Sequence, residues 1–559
     1  MSPLRRTLGY SRPYVGRLAA TLGTMLAATA VGLAYPMVVR LVFDRVVLGG
    51  DTEALPGLAL RLAGLAVLGF AAGATQAYLY TSLSARVLLD LRAGVFDHLQ
   101  RLPLQFFRTR KLGDVVARIG GDVAEIQNVA TGALLSLVSL SLTLAGTVVL
   151  LALLDARLLL ASLALVPLAL LVGWFVRPPV ERLARTVREE NAEVGSIVLE
   201  STLGAETVRA TTSEAIAAGR FRRANERLVS AVLRFQVLQS AYAGSLQLVV
   251  AANTLVVLTY GATRAASGAI TWGTLVAFLV YVGRLYGPVQ GLAGLWLSLR
   301  RASASAARVF ELLDTPASPD RPDGHAPPRV EGRIRLRGVC VEYEPGRTAL
   351  GDLDLDVAPG ETVAIVGPNG SGKTTLLRAI LGLEPIARGS VEIDGVALDR
   401  WSLASLRRRA ALVTEEAFLF RGTVDENVRL GRPDASVDDV ARAIRVAGAA
   451  GLVGRLPDRE RTIVGERGAT LSAGERQRVS LARAILREPS ILLLDDPFGQ
   501  IDTVSDEEIL AAIRPLMAGR TTILATHREK VARSADRVII LDSGPINSGV
   551  ESHQPRRGK

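Results

Sequence analysis

Val363-Ala364-Ile365-Val366-Gly367-Pro368-Asn369-Gly370-Ser371-Gly372-Lys373-Thr374 decides how the second part of the chain folds. Four apolar residues of buried-strand type run into G-x-x-x-x-G-K-T, and Thr375 to Leu383 continues with helical character. Glycines in such a loop let backbone N–H groups approach phosphate oxygens. Lys373 supplies a positive charge to the β- and γ-phosphates, and the Thr374 hydroxyl is placed to coordinate Mg²⁺. The strand before the loop and the helix after it turn a short motif into a nucleotide site for ATP, with Gly367 to Thr375 as its phosphate-binding residues.

A second buried-type strand, Ile491-Leu492-Leu493-Leu494-Asp495, ends in a carboxylate, as is needed to orient Mg²⁺ from a neighbouring strand end. An apolar run ending in Asp is common. Its conjunction with the phosphate loop is what carries weight. The expected fold of residues 330–559 is therefore α/β of the P-loop kind.

Upstream of residue 330 the pattern changes. The segment Asp314 to Arg329, rich in Pro and polar residues, reads as a linker (314–329), and residues 1–313 are dominated by long apolar runs. Six of these approach or exceed the roughly 20 residues a helix needs to cross a bilayer. They are Leu18 to Phe43, Leu58 to Leu83, Thr131 to Leu154, Leu158 to Val176, Val237 to Tyr260 and Thr271 to Leu297. Arg5, Arg6, Arg12 and Arg17 ahead of Ala28-Thr29-Ala30 imitate a signal peptide, but the apolar run continues to Val39, which favours a retained helix.

The whole chain of 559 residues is 49% hydrophobic and 21% charged, with a mean hydropathy of +0.30. Those figures exclude a small single domain, a disordered chain and a disulfide-stapled module. Cys340 is the only cysteine, and His98, His325, His527 and His553 are too scattered for a His-rich metal site. The net charge of +11 raises nucleic acid as a partner, but position argues for a membrane instead. Arg86, Arg92, Arg101, Arg108, Arg110, Lys111 and Arg118 fill the loop after the second span, and Arg177 through Arg234 bracket the loop after the fourth. The positive-inside rule then expects both loops, both termini and the ATP-binding part on the cytoplasmic side of the cell (plasma or inner) membrane.

Both long loops keep helical apolar periodicity while becoming highly charged, so membrane helices are expected to extend well beyond the bilayer and turn near Leu102 to Lys111 and Thr212 to Phe221. Within the spans, Gln76, Gln247, Asn253 and Gln290 read as interhelical hydrogen-bonding groups. Arg284, about 20 Å into the sixth span, reads as facing a hydrated cavity on a substrate path.

Leu471-Ser472-Ala473-Gly474-Glu475-Arg476-Gln477-Arg478 resembles the LSGGQ-x-Q-R signature of the ATP-binding cassette (ABC) transporter family. Ser472 stands 99 residues after Lys373 and 23 before Asp495. Tyr343 matches the family's adenine-stacking aromatic residue, His527 its γ-phosphate switch histidine, and Thr462 to Gly468 a loop of its exporter-type members. Leu99 to Phe107 with Gly113, Asp114 and Asp122 is similar to the first cytoplasmic extension of six-helix exporters.

The resemblance implies a half-transporter: an all-α transmembrane domain of six helices followed by an ATP-binding cassette domain. It implies pairing with a second half-transporter, ATP held between the phosphate loop of one subunit and the signature of the other, and ATPase activity coupled to transport. Residues Leu471, Ser472, Ala473, Gly474 and Glu475 are the corresponding signature positions.

Departures from the family pattern fall on the reaction. Asp496 stands where the family has the Glu that orients the attacking water; it is one methylene shorter, and misplacement on that scale costs on the order of 100-fold in rate. Glu415, in Val413 to Phe420, replaces a Gln that offers a neutral oxygen to Mg²⁺. Ala473 and Glu475 replace a Gly and a Gln of the signature, and Pro497 to Asp502 departs from S-A-L-D while keeping its Asp. Damage to a catalytic group is easier to tolerate when only one of two sites must turn over, so the reading favours a heterodimer over a homodimer.

The expected activity is export of a hydrophobic or amphipathic compound, peptide or lipid. An importer on the exporter scaffold and a regulatory subunit of weak hydrolysis are its alternatives. A nucleic-acid-processing ATPase has no use for six spans.

Overall fold

The computed structural model describes residues 6, 7, 9–110, 112–318, 320, 321, 323–344, 346–465, 468, 470–497, 499 and 506–541. Two compact units form. One comprises Met1–Asp97 with Val116–Asp314, the other His98–Val115 with Thr315–Lys559. The second unit thus takes in residues 98–115, which precede the linker by some 200 positions.

The first unit is helical. Its long helices are α1 (Val15–Leu41), α2 (Leu55–Leu99, whose last two residues join the second unit), α4 (Leu134–Leu163), α5 (Val166–Leu203), α6 (Glu214–Ala266) and α7 (Trp272–Asp314); α3 (Leu104–Thr109) belongs to the second unit. At 1.5 Å per residue, the 53 residues of α6 reach about 80 Å, more than twice the ~30 Å hydrocarbon thickness of a bilayer. The charged loops of the sequence are continuations of helices, as their periodicity suggests.

Among the described residues, five helical stretches are long and apolar enough to cross a membrane: Arg12–Val47, Leu55–Leu99, Gly113–Leu163, Glu214–Ala266 and Trp272–Leu292. The fourth expected span, Leu158 to Val176, is divided between α4 and α5 by a turn at Ala164 and Leu165. Pro167 stands at the start of α5, where its missing N–H costs nothing. The third and fourth spans separate at Asp155, whose backbone is extended (φ −164°) inside α4. Asp155 accepts from the Leu158 N–H (2.8 Å), so its carboxylate caps the helix that restarts there, and it also pairs with Arg264 of α6 at 2.7 Å.

Leu151 and Leu158 of α4, Val257 of α6, and Leu275, Phe278, Tyr281 and Val282 of α7 form a buried apolar cluster. The start of α7 is fixed from α1's end of the unit: Asp44 accepts from the Gly273 N–H (2.9 Å) and the Thr271 hydroxyl (2.8 Å). A Cβ at Gly273 would stand 2.5 Å from the Arg40 carbonyl, so only glycine permits this approach.

The second unit is α/β. Its strands are β1 (Ile334–Glu344), β2 (Arg347–Val357), β3 (Thr362–Val366), β4 (Arg388–Ile393), β5 (Val396–Ala397), β6 (Ala410–Val413), β7 (Gly422–Thr423), β8 (Ile463–Val464), β9 (Ile491–Asp495), β10 (Thr521–Ala525) and β11 (Arg537–Ile540). A five-stranded sheet has the order β11-β3-β10-β9-β6 with every pair parallel, and β3, β9 and β10 are almost wholly buried. That burial is why Val363–Val366 and Ile491–Leu494 read as continuous apolar runs instead of alternating ones. An antiparallel sheet, β2-β1-β4-β5, and a short β7-β8 pair complete the unit. Helix α8 (Lys373–Ile380) follows β3, and α9 (Ala473–Leu486) precedes β9.

Candidate nucleotide site

Parallel strands that point the same way bring their following loops to one edge of the sheet, where ligands of open α/β sheets bind. Four such loops carry the candidate residues. Gly367 follows β3, Glu415 lies two residues after β6, Asp496 follows β9, and His527 lies two residues after β10. Register makes them neighbours: Ala525 pairs with both Ile365 and Asp495, and Val413 pairs with Leu494.

The phosphate loop turns on glycines. Gly370 and Gly372 have φ of +85° and +93°, and a Cβ on Gly372 would meet the Ala349 carbonyl at 2.5 Å. Ser371 N–H donates to the Pro368 carbonyl (3.2 Å), while the Ser371 hydroxyl oxygen is buried with no hydrogen-bond partner. A buried polar atom of that kind fits an anionic ligand that would occupy the loop. Asn369 and Gly370 form the exposed tip, and Gly372 starts α8, whose first N–H groups are the other anion-binding element.

Lys373 Nζ donates to the Gly367 and Pro368 carbonyls (2.7 and 2.8 Å), which bends the side chain back over its own loop. Burial holds its pKa below the usual lysine value, against the opposing charges of Asp496, Asp495 and Glu415. All three carboxylates thus act on the Lys373 ammonium, and the Arg378 guanidinium also acts on Asp495.

The Thr374 hydroxyl donates to Asp495 Oδ1 at 3.0 Å. Asp495 is 5% exposed, and burial raises its carboxyl pKa, with Thr374 pulling the other way. One hydroxyl beside one buried carboxylate suits Mg²⁺, which takes few protein ligands and completes its shell with water and substrate phosphates. Among the described residues no group of three or more His, Cys, Asp or Glu side chains could hold a metal by itself. Glu415 is exposed, and its preceding carbonyl, on Thr414, accepts from Gln477 Nε2 (3.1 Å), tying that loop to α9.

Asp496 adopts a left-handed backbone (φ +39°), unusual for a residue with a side chain, and its N–H donates to the Ala525 carbonyl (2.8 Å). That turn aims its carboxylate at His527, whose Nδ1 contacts Asp496 Oδ2. The spacing of 31 residues gives no hint that these two side chains meet; parallel pairing of β9 and β10 does it.

The signature segment begins α9. Ser472 is the N-cap: its hydroxyl accepts from Glu475 N–H (3.3 Å), and Glu475 Oε2 accepts from Ser472 N–H (2.9 Å). This reciprocal box works with Glu or Gln at the third helical position, so the Gln-to-Glu departure leaves the cap intact. Leu471 is buried, and its carbonyl accepts from Arg476 (2.8 Å); Ala473 and Gly474 form the partly exposed first turn.

Tyr343, near the end of β1, donates to or accepts from the Thr375 hydroxyl at 2.5 Å. Its ring also carries the Arg108 guanidinium at 4.6 Å, and its carbonyl accepts from Gln105 Nε2 (2.7 Å). Arg108 pairs with Glu384, whose side chain is 1% exposed. Gln105 and Arg108 lie on one face of α3, three residues apart. The sequence placed this segment at a loop tip but offered no signal for its contacts with Tyr343 and Glu384. Glu466, Arg467, Phe498, Gln500, Ile501 and Asp502 lie outside the described residues.

Two family models match: "ABC transporter transmembrane region" over residues 18–289 and "ABC transporter" over 350–499. The chain is 33% identical over 542 residues to the uncharacterized ABC transporter ATP-binding protein YknV of Bacillus subtilis, covering 96% of this chain and 90% of that one. It is 32% identical over 546 residues to an ATP-dependent lipid A-core flippase of Thiobacillus denitrificans, covering 97% and 94%. A solved bacterial Atm1-family ABC exporter with ATP bound superposes with a TM-score of 0.79 at 26% identity, covering 94% and 93%. The chain belongs to the ABC transporter family, as an exporter-type half-transporter that binds ATP and couples its hydrolysis to transport.

Proposed function

We propose that this half-transporter exports a hydrophobic or amphipathic compound, peptide or lipid across the cell membrane, paired with a second, different half-transporter and with its ATP-binding unit and termini in the cytoplasm. The observation that carries the pairing is Asp496, a shortened carboxylate turned onto His527 where a longer one is expected to hold water. Gly367 to Thr375 bind the phosphates, Lys373 leaving its two carbonyl acceptors for them. Thr374, Asp495 and Glu415 would hold Mg²⁺, which neutralises phosphate charge when bound. Tyr343 stacks on adenine. Asp496 is the weak base, His527 contacts the γ-phosphate, and Leu471 to Glu475 complete the partner's site.

A regulatory role with slow hydrolysis is a second reading that the Asp496–His527 pair favours. Asp496→Glu in the purified complex separates the two. A large gain in ATPase supports the deliberately slowed site of the regulatory reading. Brisk hydrolysis and transport by the wild-type chain alone, as a proven homodimer, refute the heterodimer.

A further inference from the structure

Pro36 lies inside α1 and has no N–H, so the Gly32 carbonyl four residues earlier lacks its helical donor. Arg284 of α7 fills that vacancy: its Nη1 donates to the Gly32 carbonyl. One residue on, the buried Tyr281 hydroxyl donates to the Leu33 carbonyl. The proline of one apolar helix is thus bridged by two side chains of another, which explains part of why an arginine stands at that depth.

Only part of the guanidinium is used. Arginine offers five N–H donors in a planar fork, and the described contacts of Arg284 are one carbonyl and the Tyr35 ring at 5.9 Å. Arg40 and Arg264 of the same unit each have a carboxylate partner, Asp44 and Asp155; Arg284 forms no ion pair among the described residues. It is exposed, and Gly283 and Gly287 on the same face have no atom within 4 Å of where a Cβ would stand. Two glycines with no side chain packed on them within this chain thus adjoin an arginine whose hydrogen-bond acceptor, among the described residues, is neutral.

We propose that Arg284 is an anion-recognition point for an amphipathic substrate with a carboxylate or phosphate head, and that this head competes with the Gly32 carbonyl for the guanidinium. The inference rests on the reading that the chain transports an amphipathic compound. An anionic head matches the fork with charge-assisted hydrogen bonds that a carbonyl cannot equal. An apolar tail suits the apolar residues that surround Arg284 in α7, about 20 Å along that helix, and a small free ion offers them no counterpart. Binding would release the carbonyl beside Pro36, loosening the bridge between α1 and α7.

The test is retention of radiolabelled dodecyl phosphate and dodecanoate by the full chain in phosphatidylcholine nanodiscs without ATP. Wild type retains both, and dodecyltrimethylammonium, inorganic phosphate and acetate fail to displace them at equal concentration. Arg284→Gln weakens retention about tenfold, the loss of one charge-assisted contact. Pro36→Ala restores the helical donor, frees the guanidinium and tightens retention several-fold. The double variant Pro36→Ala/Arg284→Gln has its carbonyl satisfied, so it folds even if Arg284→Gln alone does not, and it remains as weak as Arg284→Gln. Retention by the double variant equal to wild type overturns the proposal, leaving Arg284 a purely structural donor. Displacement by inorganic phosphate or acetate overturns the amphipathic class. In sealed liposomes holding the chain with its co-purified partner half-transporter, ATP-driven transport of neutral monolaurin while neither anion is retained overturns the anion proposal and leaves the transporter reading standing; ATP-driven transport of no amphiphile by that pair overturns the underlying reading.

Discussion

Arg108→Ala removes the ion-pair partner that Glu384 has among the described residues, and the Glu384 side chain is 99% shielded, with 1% exposure. Breaking a buried pair by deleting one partner typically costs about 3–5 kcal/mol. Arg108 itself is 34% exposed, so water enters where it is cut back, and a figure of roughly 2–3 kcal/mol is more apt once screening is counted. Loss of the guanidinium from the Tyr343 ring adds about 0.5–1 kcal/mol. Gln105 still donates to the Tyr343 carbonyl, so α3 stays partly held. At about 1.4 kcal/mol per factor of ten, the summed loss of about 2.5–4 kcal/mol should speed amide exchange in the peptide 99–110 some 60- to 700-fold. Hydrogen–deuterium exchange read by mass spectrometry on the full chain measures this directly. Glu384→Gln in the Arg108→Ala background removes the unpaired charge and should restore at least half of the lost protection. Unchanged exchange in Arg108→Ala, or no recovery in the double variant, refutes the assignment of a buried charge held by this one arginine.

Asp495→Asn removes a carboxylate whose pKa burial has raised. Because the fold disfavours its charged form, ionised Asp495 lowers stability at neutral pH, and that cost vanishes as pH falls through the raised pKa. The variant should therefore melt no lower than wild type without nucleotide, yet lose the roughly 2.7 kcal/mol that MgATP at 100 times its Kd confers; thermal unfolding with and without MgATP reads both. Glu475→Gln should leave stability within about 0.5 kcal/mol, since the capping box accepts either residue, whereas Ser472→Ala should cost about 1 kcal/mol in the same melts. Asp155→Leu leaves Arg264, 18% exposed, unpaired and also uncaps the helix at Leu158, so it should lower the melting temperature while ATP affinity, measured by fluorescent-nucleotide titration, stays unchanged.

Strand β3, the phosphate loop and Asp495 were legible because strand burial and loop chemistry are local: the apolar run, the glycines and the terminal carboxylate are adjacent in sequence. The long helical extensions were legible for the same reason, their period surviving the change from apolar to charged residues. Other features depend on chain segments that meet only after folding. Nothing near Pro36 announces that its orphaned carbonyl is met by Arg284, some 250 positions away, and nothing near Glu384 announces Arg108. The fourth span was drawn through Ala164 and Leu165 because hydropathy does not register a turn made of apolar residues; Pro167 was the available cue. The Glu475 departure looked like damage in sequence and proves neutral to the cap because its carboxylate does the same backbone bonding.

ATP-dependent accumulation of a labelled amphiphile in inside-out membrane vesicles, compared between wild type and Lys373→Ala, bears on coupled export most directly. Accumulation by the assembled pair that requires ATP and falls several-fold in Lys373→Ala is the expected result, because Lys373 carries the phosphate loop's charge and this site must bind ATP even where only the partner's site turns over. Accumulation that stays at the wild-type level in Lys373→Ala, or outward movement from the vesicles when ATP is added, contradicts ATP-driven export through this chain.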